Sequence, residues 1–244
     1  MRRRFFVDRF EADSAVLHGD SADHLGRVLR AERGQHYELS DGERVWLAKI
    51  ERVALARGGR SRVEFSLVEP LPVSKPLLRI DLLLSIVKFE RFEWCLEKAT
   101  ELGATSIVPI AAARTDKSLI AAASKRQKRW RRILLESAQQ ARRLTQPTLQ
   151  EIWKPETAFA TFLGPVKILC SERREAAPLR EVLRAQSAVG ATVLAIGPEG
   201  GWTEAEITAA RLAGFVEVSL GENILRTETA VLAALAMIGF ALGH

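Results

Sequence analysis

A chain of 244 residues with 47% hydrophobic side chains is long enough for one large domain or two smaller ones, each with a core of its own. No apolar segment follows Met1-Arg2-Arg3-Arg4, which argues against a secretory signal. The longest uncharged run, Thr229–Gly243, is shorter than the ~20 residues of a membrane span, so no membrane partner is expected. Two cysteines, Cys95 and Cys170, lack ligand spacing and four histidines are scattered, which points to a reduced, cytoplasmic protein and predicts no metal. The net charge of +6 is uneven: residues 1–79 carry 15 basic and 12 acidic side chains, 80–144 carry 13 and 7, and 145–244 carry 8 and 11. A basic front and middle suit a polyanion, and a mildly acidic end suits a separate small ligand.

Ser21–Arg30 is helix-like and stops at Gly34. Gln35–Ser40 and Arg44–Val53 read as strands around Asp41-Gly42, a hairpin signal in which both turn residues take positive φ. Ser61–Val68 alternates as another strand, so residues 1–70 are expected to form a small β-barrel domain. Three prolines between Glu69 and Pro76 deny helix and central strand, which makes residues 71–76 a linker.

From 77 to 244 strands and helices alternate. Leu78–Val87 is an apolar strand, and Lys88–Leu102 a helix with Phe92, Cys95, Leu96 and Ala99 on one face and Gly103 as its stop. Thr105–Ile110 follows as a strand, then a long basic helix from Ser124 to about Leu144, strand Val166–Cys170 and helix Pro178–Gln186. Strand Thr192–Ile196 leads to helix Thr203–Ala213, opened by a capping box of Thr203 and Glu206. Phe215–Leu220 is the last strand, and Thr227 is expected to cap the last helix. The alternation implies a mostly parallel sheet with helices on its faces.

Two phrases in the last third are alike: a short apolar strand, a turn, then a helix start. Ile196 runs into Gly197-Pro198-Glu199-Gly200-Gly201-Trp202, and Leu220 into Gly221-Glu222-Asn223-Ile224-Leu225-Arg226. Loops of this kind at the carboxyl ends of adjacent strands form a small-molecule cleft in an open α/β sheet. Neither phrase matches a dinucleotide fingerprint or a phosphate-binding P-loop, which leaves NAD and ATP without support. Arg226 has two readings: a salt bridge to Glu222 or Glu228, or a forked donor for an anion or a planar base edge.

Gly197–Gly201 together with Leu220–Ala230 resembles the signature of the RsmE family, the uridine-N3 methyltransferases of 16S ribosomal RNA in the SPOUT superfamily. Three further stretches agree: His24–Arg30 with Gly34 and Asp41-Gly42, Lys88–Gly103, and Arg114-Thr115 after a strand ending in Pro109-Ile110. The likeness spans essentially the whole chain. It implies a PUA-like β-barrel on residues 1–70 and an α/β SPOUT domain on 77–244, whose carboxyl-terminal trefoil knot cradles S-adenosylmethionine. One stretch departs: where the family has Glu-Gln-x-Gly-Arg-Asn, this chain has Gln139-Gln140-Ala141-Arg142-Arg143-Leu144.

The same resemblance implies the site. Cys170, Ser171, Ile196, Gly197, Pro198, Gly200, Gly201, Leu220, Gly221, Ile224, Leu225 and Thr229 are expected around the cofactor. Methyl transfer to uridine N3 needs an in-line donor, a deprotonated N3 and an unstacked base. Arg226 is expected to steady the anionic uracil. Glu199 and Glu228 are candidate proton acceptors, each with the alternative of favouring a positive helix N-terminus. Arg2, Arg3, Arg4, His24, Arg27, Arg30, Lys88, Arg91, Arg142 and Arg143 are expected toward RNA. The basic run Lys125–Arg132 reads equally as an RNA contact or a solvated helix face. The implied partners are 16S rRNA in the small subunit and a second copy of the chain. The apolar run Ala230–Phe240 suits a two-fold interface and equally a core helix. Two other function classes stay open: a non-catalytic RNA-binding or ribosome-assembly protein on the same fold, and a small-molecule α/β enzyme whose basic charge is incidental.

Overall fold

The computed structural model describes residues 3–56, 58, 60–74, 76–185 and 190–242. The chain divides into two compact units: one holds residues 1–75 and 138–146, the other 76–137 and 147–244. The return of residues 138–146 to the first unit has no signal in the sequence.

The first unit is a five-stranded sheet in the order β1-β3-β4-β5-β2. The strands are β1 (Arg4–Phe6), β2 (Ser14–His18), β3 (His36–Ser40), β4 (Val45–Ala54) and β5 (Arg62–Leu71). Only the β1–β3 pair is parallel. Irregularities in the β4–β5 ladder, at Leu47/Ala48 and Ile50/Arg52, mark bulges that bend the sheet. Phe5, Leu17, Leu25, Leu39, Ile50 and Phe65 fill its core. β1, three residues long, and β2, which lacks a hairpin signal such as the Asp41-Gly42 that marks β3 and β4, are not expected from the sequence.

Three expectations change here. The early helix starts sooner, as α1 (Gly19–Asp23), and continues as a π-helical turn over His24–Val28. The hairpin loop takes positive φ only at Gly42 (+91°), because the Asp41 carboxylate accepts the amides of Glu43 (3.0 Å) and Arg44 (2.7 Å) instead. β5 runs through Glu69 and Pro70, which pair with Leu47 and Trp46. The proline is tolerated because β2 flanks β5 only from Arg62 to Ser66, so the far end of β5 is an edge.

The second unit is a seven-stranded, all-parallel sheet ordered β10-β12-β9-β11-β6-β7-β8. Its strands are β6 (Arg79–Ser85), β7 (Ser106–Ile110), β8 (Thr148–Leu149), β9 (Val166–Cys170), β10 (Ala177–Pro178), β11 (Ala191–Ile196) and β12 (Val216–Ser219). The helices are α2 (Phe89–Glu101), α3 (Lys117–Ala123), α4 (Gln127–Gln140), α5 (Pro155–Thr161), α6 (Leu179–Arg184), α7 (Glu204–Leu212) and α8 (Thr227–Leu242). Ile80, Leu82 and Leu84 of β6 pack with α2, α4, α6 and α8 on one face. Leu83, Val193 and Ala195 pack with α5 and α7 on the other, as period-two alternation requires of a sheet covered on both sides.

The long basic helix is corrected to α3, a 3-10 turn at Ser124–Arg126, and α4, which ends at Gln140. Trp130 is buried inside it, 4.6 Å from the Phe92 ring. Arg126 and Arg129 pair with Glu93, Arg131 with Glu151 and Arg132 with Glu136, so acids of the chain meet much of that basic run. α6 is shorter than expected, and Gln186 lies outside the described residues. The similar phrases lead to the expectation that β11 and β12 are adjacent; they are not, because β9 lies between them.

Candidate active site

The carboxyl ends of β9, β11 and β12 open onto one cavity of about 870 Å³. Each wall has a local cause. After Ile196 the chain turns sharply, with the Gly201 amide donating to the Pro198 carbonyl at 2.9 Å and Gly201 at φ +69°, a conformation that suits glycine. Helix α7 then starts on the expected capping box, Thr203 with Glu206. Glu206 is buried and also accepts the Ala113 amide at 2.8 Å, which fastens this turn to the segment after β7. Arg114 adds donors to the carbonyls of Gly200 (2.8 Å) and Trp202 (3.3 Å).

Trp202 closes the floor. Its indole N–H donates to the Cys170 carbonyl at 3.1 Å, and its ring lies against Gly197, where an added Cβ would sit 3.1 Å from Nε1. The second loop leaves β12, passes Gly221 (φ +140°), and enters α8 at Thr227. Thr227 is the first helical residue, not the cap expected from sequence, and its hydroxyl donates to the Gly197 carbonyl at 3.4 Å. The two loops thus meet despite the strand between them.

Of the residues expected around the cofactor, Cys170, Ser171, Ile196, Gly197, Pro198, Gly201, Leu220, Gly221, Ile224 and Leu225 line the cavity. Gly200 and Thr229 do not: Gly200 presents its carbonyl to Arg114, and Thr229 is exposed on α8. Trp202, Glu172, Arg173, Arg174 and Arg114 line it without having been singled out for the site. Trp202 had a signal, since it follows directly on the glycine phrase. The Cys170 thiol is no nucleophile, because burial pushes its pKa up to about 12. Burial, with the Glu228 charge second, does the same to Cys95.

The three catalytic candidates separate. Arg226 lines the cavity, is exposed, and has neither an ion pair nor a side-chain hydrogen bond among the described residues. Glu199 also lines it, and pairs with Arg91 of α2. Glu228 is not among the lining residues; its Oε1 lies 3.7 Å from Arg91 Nε. A proton acceptor has to reach the reacting atom, which favours Glu199 over Glu228 for that role.

The cations expected toward RNA also divide. Lys88 is exposed at the cavity, and Arg30 is exposed in the first unit at φ +51°. Arg3 lies 3.4 Å from the His24 ring, and Arg27 donates to Asp23 (2.8 Å) and to the Ala56 carbonyl (2.9 Å). Arg4 and Arg142 both bind Glu38, which is only 3% exposed, so they neutralise a buried carboxylate. Arg91 lines the cavity and is engaged by Glu199 and Glu228, and burial lowers the pKa of Arg143 to about 10. Arg2 lies outside the described residues. Among the described residues no helix is long and apolar enough to cross a membrane, and no three His, Cys, Asp or Glu side chains gather as a metal needs.

An RNA methyltransferase domain family matches residues 73–239. A ribosomal RNA small subunit methyltransferase E from Synechocystis is 35% identical over 229 residues, covering 88% of this chain and 69% of the relative. The crystal structure of such an enzyme from Neisseria gonorrhoeae bound to S-adenosyl methionine superposes with a TM-score of 0.83 at 30% identity, covering 98% of each chain. A methyltransferase structure from Legionella pneumophila with bound SAM gives 0.84 at 27% identity, covering 99% and 98%. The glycine turn, the second loop and a match across nearly the whole length lead to one conclusion: this chain belongs to the ribosomal RNA small subunit methyltransferase E family.

Proposed function

We propose that the protein transfers a methyl group from S-adenosylmethionine to N3 of a uridine in 16S rRNA of the small ribosomal subunit. Family membership supports the ribosomal RNA substrate, and the relatives described with bound donor support the cofactor. The residues present fit that donor. The cavity volume lies within the roughly 300–1,000 Å³ typical of small-molecule sites. Ile196, Leu220 and Leu225 supply apolar surface for an adenine, and the main chain of Gly197 and Gly201 lies at the cavity wall. When bound, the cofactor supplies an electrophilic methyl group.

The observation that carries the reading is Arg226, a guanidinium at the cavity that meets no acid among the described residues. Uracil that loses its N3 proton carries negative charge on its two carbonyl oxygens, and a fork of N–H donors is matched to that anion. Glu199, at the same cavity, is the acceptor we assign to the proton. RNA phosphates would be met by Lys88 and Arg174 at the cavity and by Arg30 in the first unit, giving salt-sensitive affinity. The pairing of Arg4 and Arg142 with Glu38 assigns them to the structure of the first unit instead.

A homodimer, a cytoplasmic setting, the carboxyl-terminal knot, and the roles of residues 1–70 as an RNA-docking barrel and 77–244 as the catalytic domain belong to the same proposal. Support for the dimer comes from α8 and α2, which expose Phe240 (86%), Met237 (42%) and Trp94 (40%). Support for the knot is the strand order, which separates β12 from β11 while α8 packs on α2. The test is methylation of small subunits from a strain lacking the enzyme, with the modified nucleoside identified by mass spectrometry. 3-Methyluridine at one position is expected; its absence overturns the reading.

A further inference from the structure

Arg91 lies on the first turn of α2, facing two acids, one from the loop after β11 and one from helix α8. The first is Glu199 of the glycine turn, paired with its Nη1 and lining the cavity. The second is Glu228, in the first turn of α8, with Oε1 3.7 Å from Arg91 Nε. The other Glu228 oxygen, Oε2, is buried and meets no hydrogen-bond donor among the described residues. Glu228 also lies close enough to Cys95, one helical turn beyond Arg91, for its charge to act on that thiol. Glu228, Arg91 and Glu199 thus form a row, of which Arg91 and Glu199 line the cavity and Glu228 does not.

A row of this kind has a recognisable logic. A reacting group held by one partner is aimed, and a second partner aims the first. A carboxylate on a loop with 46% of its side chain exposed has many rotamers, and fixing it costs entropy at each turnover unless a neighbour has already done so. The guanidinium suits the task because its donors point in fixed directions and serve two carboxylates at once.

We propose that Arg91 is a positioning residue for methyl transfer, holding Glu199 at the cavity, and that Glu228 acts only through Arg91. The proposal rests on the reading of Glu199 as proton acceptor. In the step it serves, the N3 proton passes to the Glu199 carboxylate and the N–H electron pair forms the new N–CH₃ bond. The sulfur–methyl bond breaks with its electrons remaining on sulfur, and the proton then leaves to solvent.

The test measures kcat on small subunits and donor affinity by calorimetry for Arg91→Ala, Arg91→Lys, Glu228→Gln and Arg91→Ala/Glu228→Gln. Arg91→Ala is expected to lower kcat about 100-fold, the scale of proton-transfer catalysis, while donor affinity stays within about threefold. Arg91→Lys should recover roughly tenfold of that loss, since a point charge reaches one acid but lacks the fork. Glu228→Gln should slow turnover about tenfold alone and add nothing to Arg91→Ala, because the pair acts as a unit. Unchanged turnover in Arg91→Ala, multiplied losses in the double variant, or lost donor binding with intact kcat would each overturn the proposal. Normal calorimetry with no methyl transfer by the unaltered protein would instead sink the functional reading beneath it.

Discussion

The Trp202 indole N–H donates to the Cys170 carbonyl across 3.1 Å, joining the turn after β11 to the end of β9. This bond sets the spacing of the cavity floor, because the two strands are neighbours and their carboxyl ends diverge beyond Ile196 and Cys170. The ring also packs edge-on against Phe159, 5.7 Å away. Trp202→Phe keeps most of that packing and removes the donor. It should cost about 1–3 kcal/mol by leaving a buried carbonyl short of a partner, and weaken donor binding several-fold. Urea unfolding and calorimetry check both; unchanged values would remove the bond from the account.

Gly197→Ala tests the close approach directly. The new Cβ would meet the Trp202 ring at 3.1 Å, tighter than ordinary contact, and either this turn or the Trp202 ring, both of which line the cavity, must shift. Donor affinity should fall by at least tenfold with a smaller change in melting temperature, since the strain of overpacking is about 1–3 kcal/mol and falls on the turn itself. Calorimetry with S-adenosylmethionine reads the result, and wild-type affinity would contradict the assignment of this turn to the cofactor.

In the first unit, Arg142 combines a left-handed backbone (φ +55°) with an ion pair to buried Glu38. Arg142→Ala loses the pair and keeps the strain, whereas Arg142→Gly loses the pair and relieves the strain. The glycine variant should therefore be the more stable of the two by roughly 1 kcal/mol. Glu38→Ala should be worse than either, costing on the order of 3 kcal/mol, because Arg4 is left largely buried and without its carboxylate. Chemical denaturation of the three variants gives the order, and an alanine variant at least as stable as the glycine one would refute it.

The cysteines predict a pH dependence. Burial raises both thiols from 9.0 to about 12 in the folded chain. Between those values the folded state keeps protons that the unfolded state gives up, so this contribution is full below pH 9 and is lost as pH rises toward 12. The native protein should leave both thiols unmodified by a thiol reagent at pH 8 and expose two in urea, and its urea midpoint should fall between pH 8.5 and 10.5. Rapid modification of the native protein would show that neither side chain is buried as described.

Much of this was legible because the signals are local. The capping box of Thr203 and Glu206, the stop at Gly103 (φ +94°) and the apolar face of α2 each lie within a few residues, where spacing encodes geometry. The two loop phrases marked the cavity for the same reason. Strand order is not local, so nothing in the phrases placed β9 between them or made Glu172–Arg174 part of the wall. The direction of the Glu228 side chain depends on Arg91, over a hundred residues away, and was equally out of reach. Two short helices did have signals: Asp116, whose carboxylate caps α3 through the Ser118 amide, and Pro155 at the start of α5.

The central claim concerns Arg226, and one measurement bears on it most directly: the single-turnover rate of Arg226→Lys on small subunits at saturating S-adenosylmethionine. Lysine keeps the charge and loses the fork, so the rate should fall about 100-fold or more, the scale of a lost donor to a developing anion, with donor binding intact. A rate within threefold of the unaltered protein would contradict the claim that this guanidinium steadies the anionic uracil.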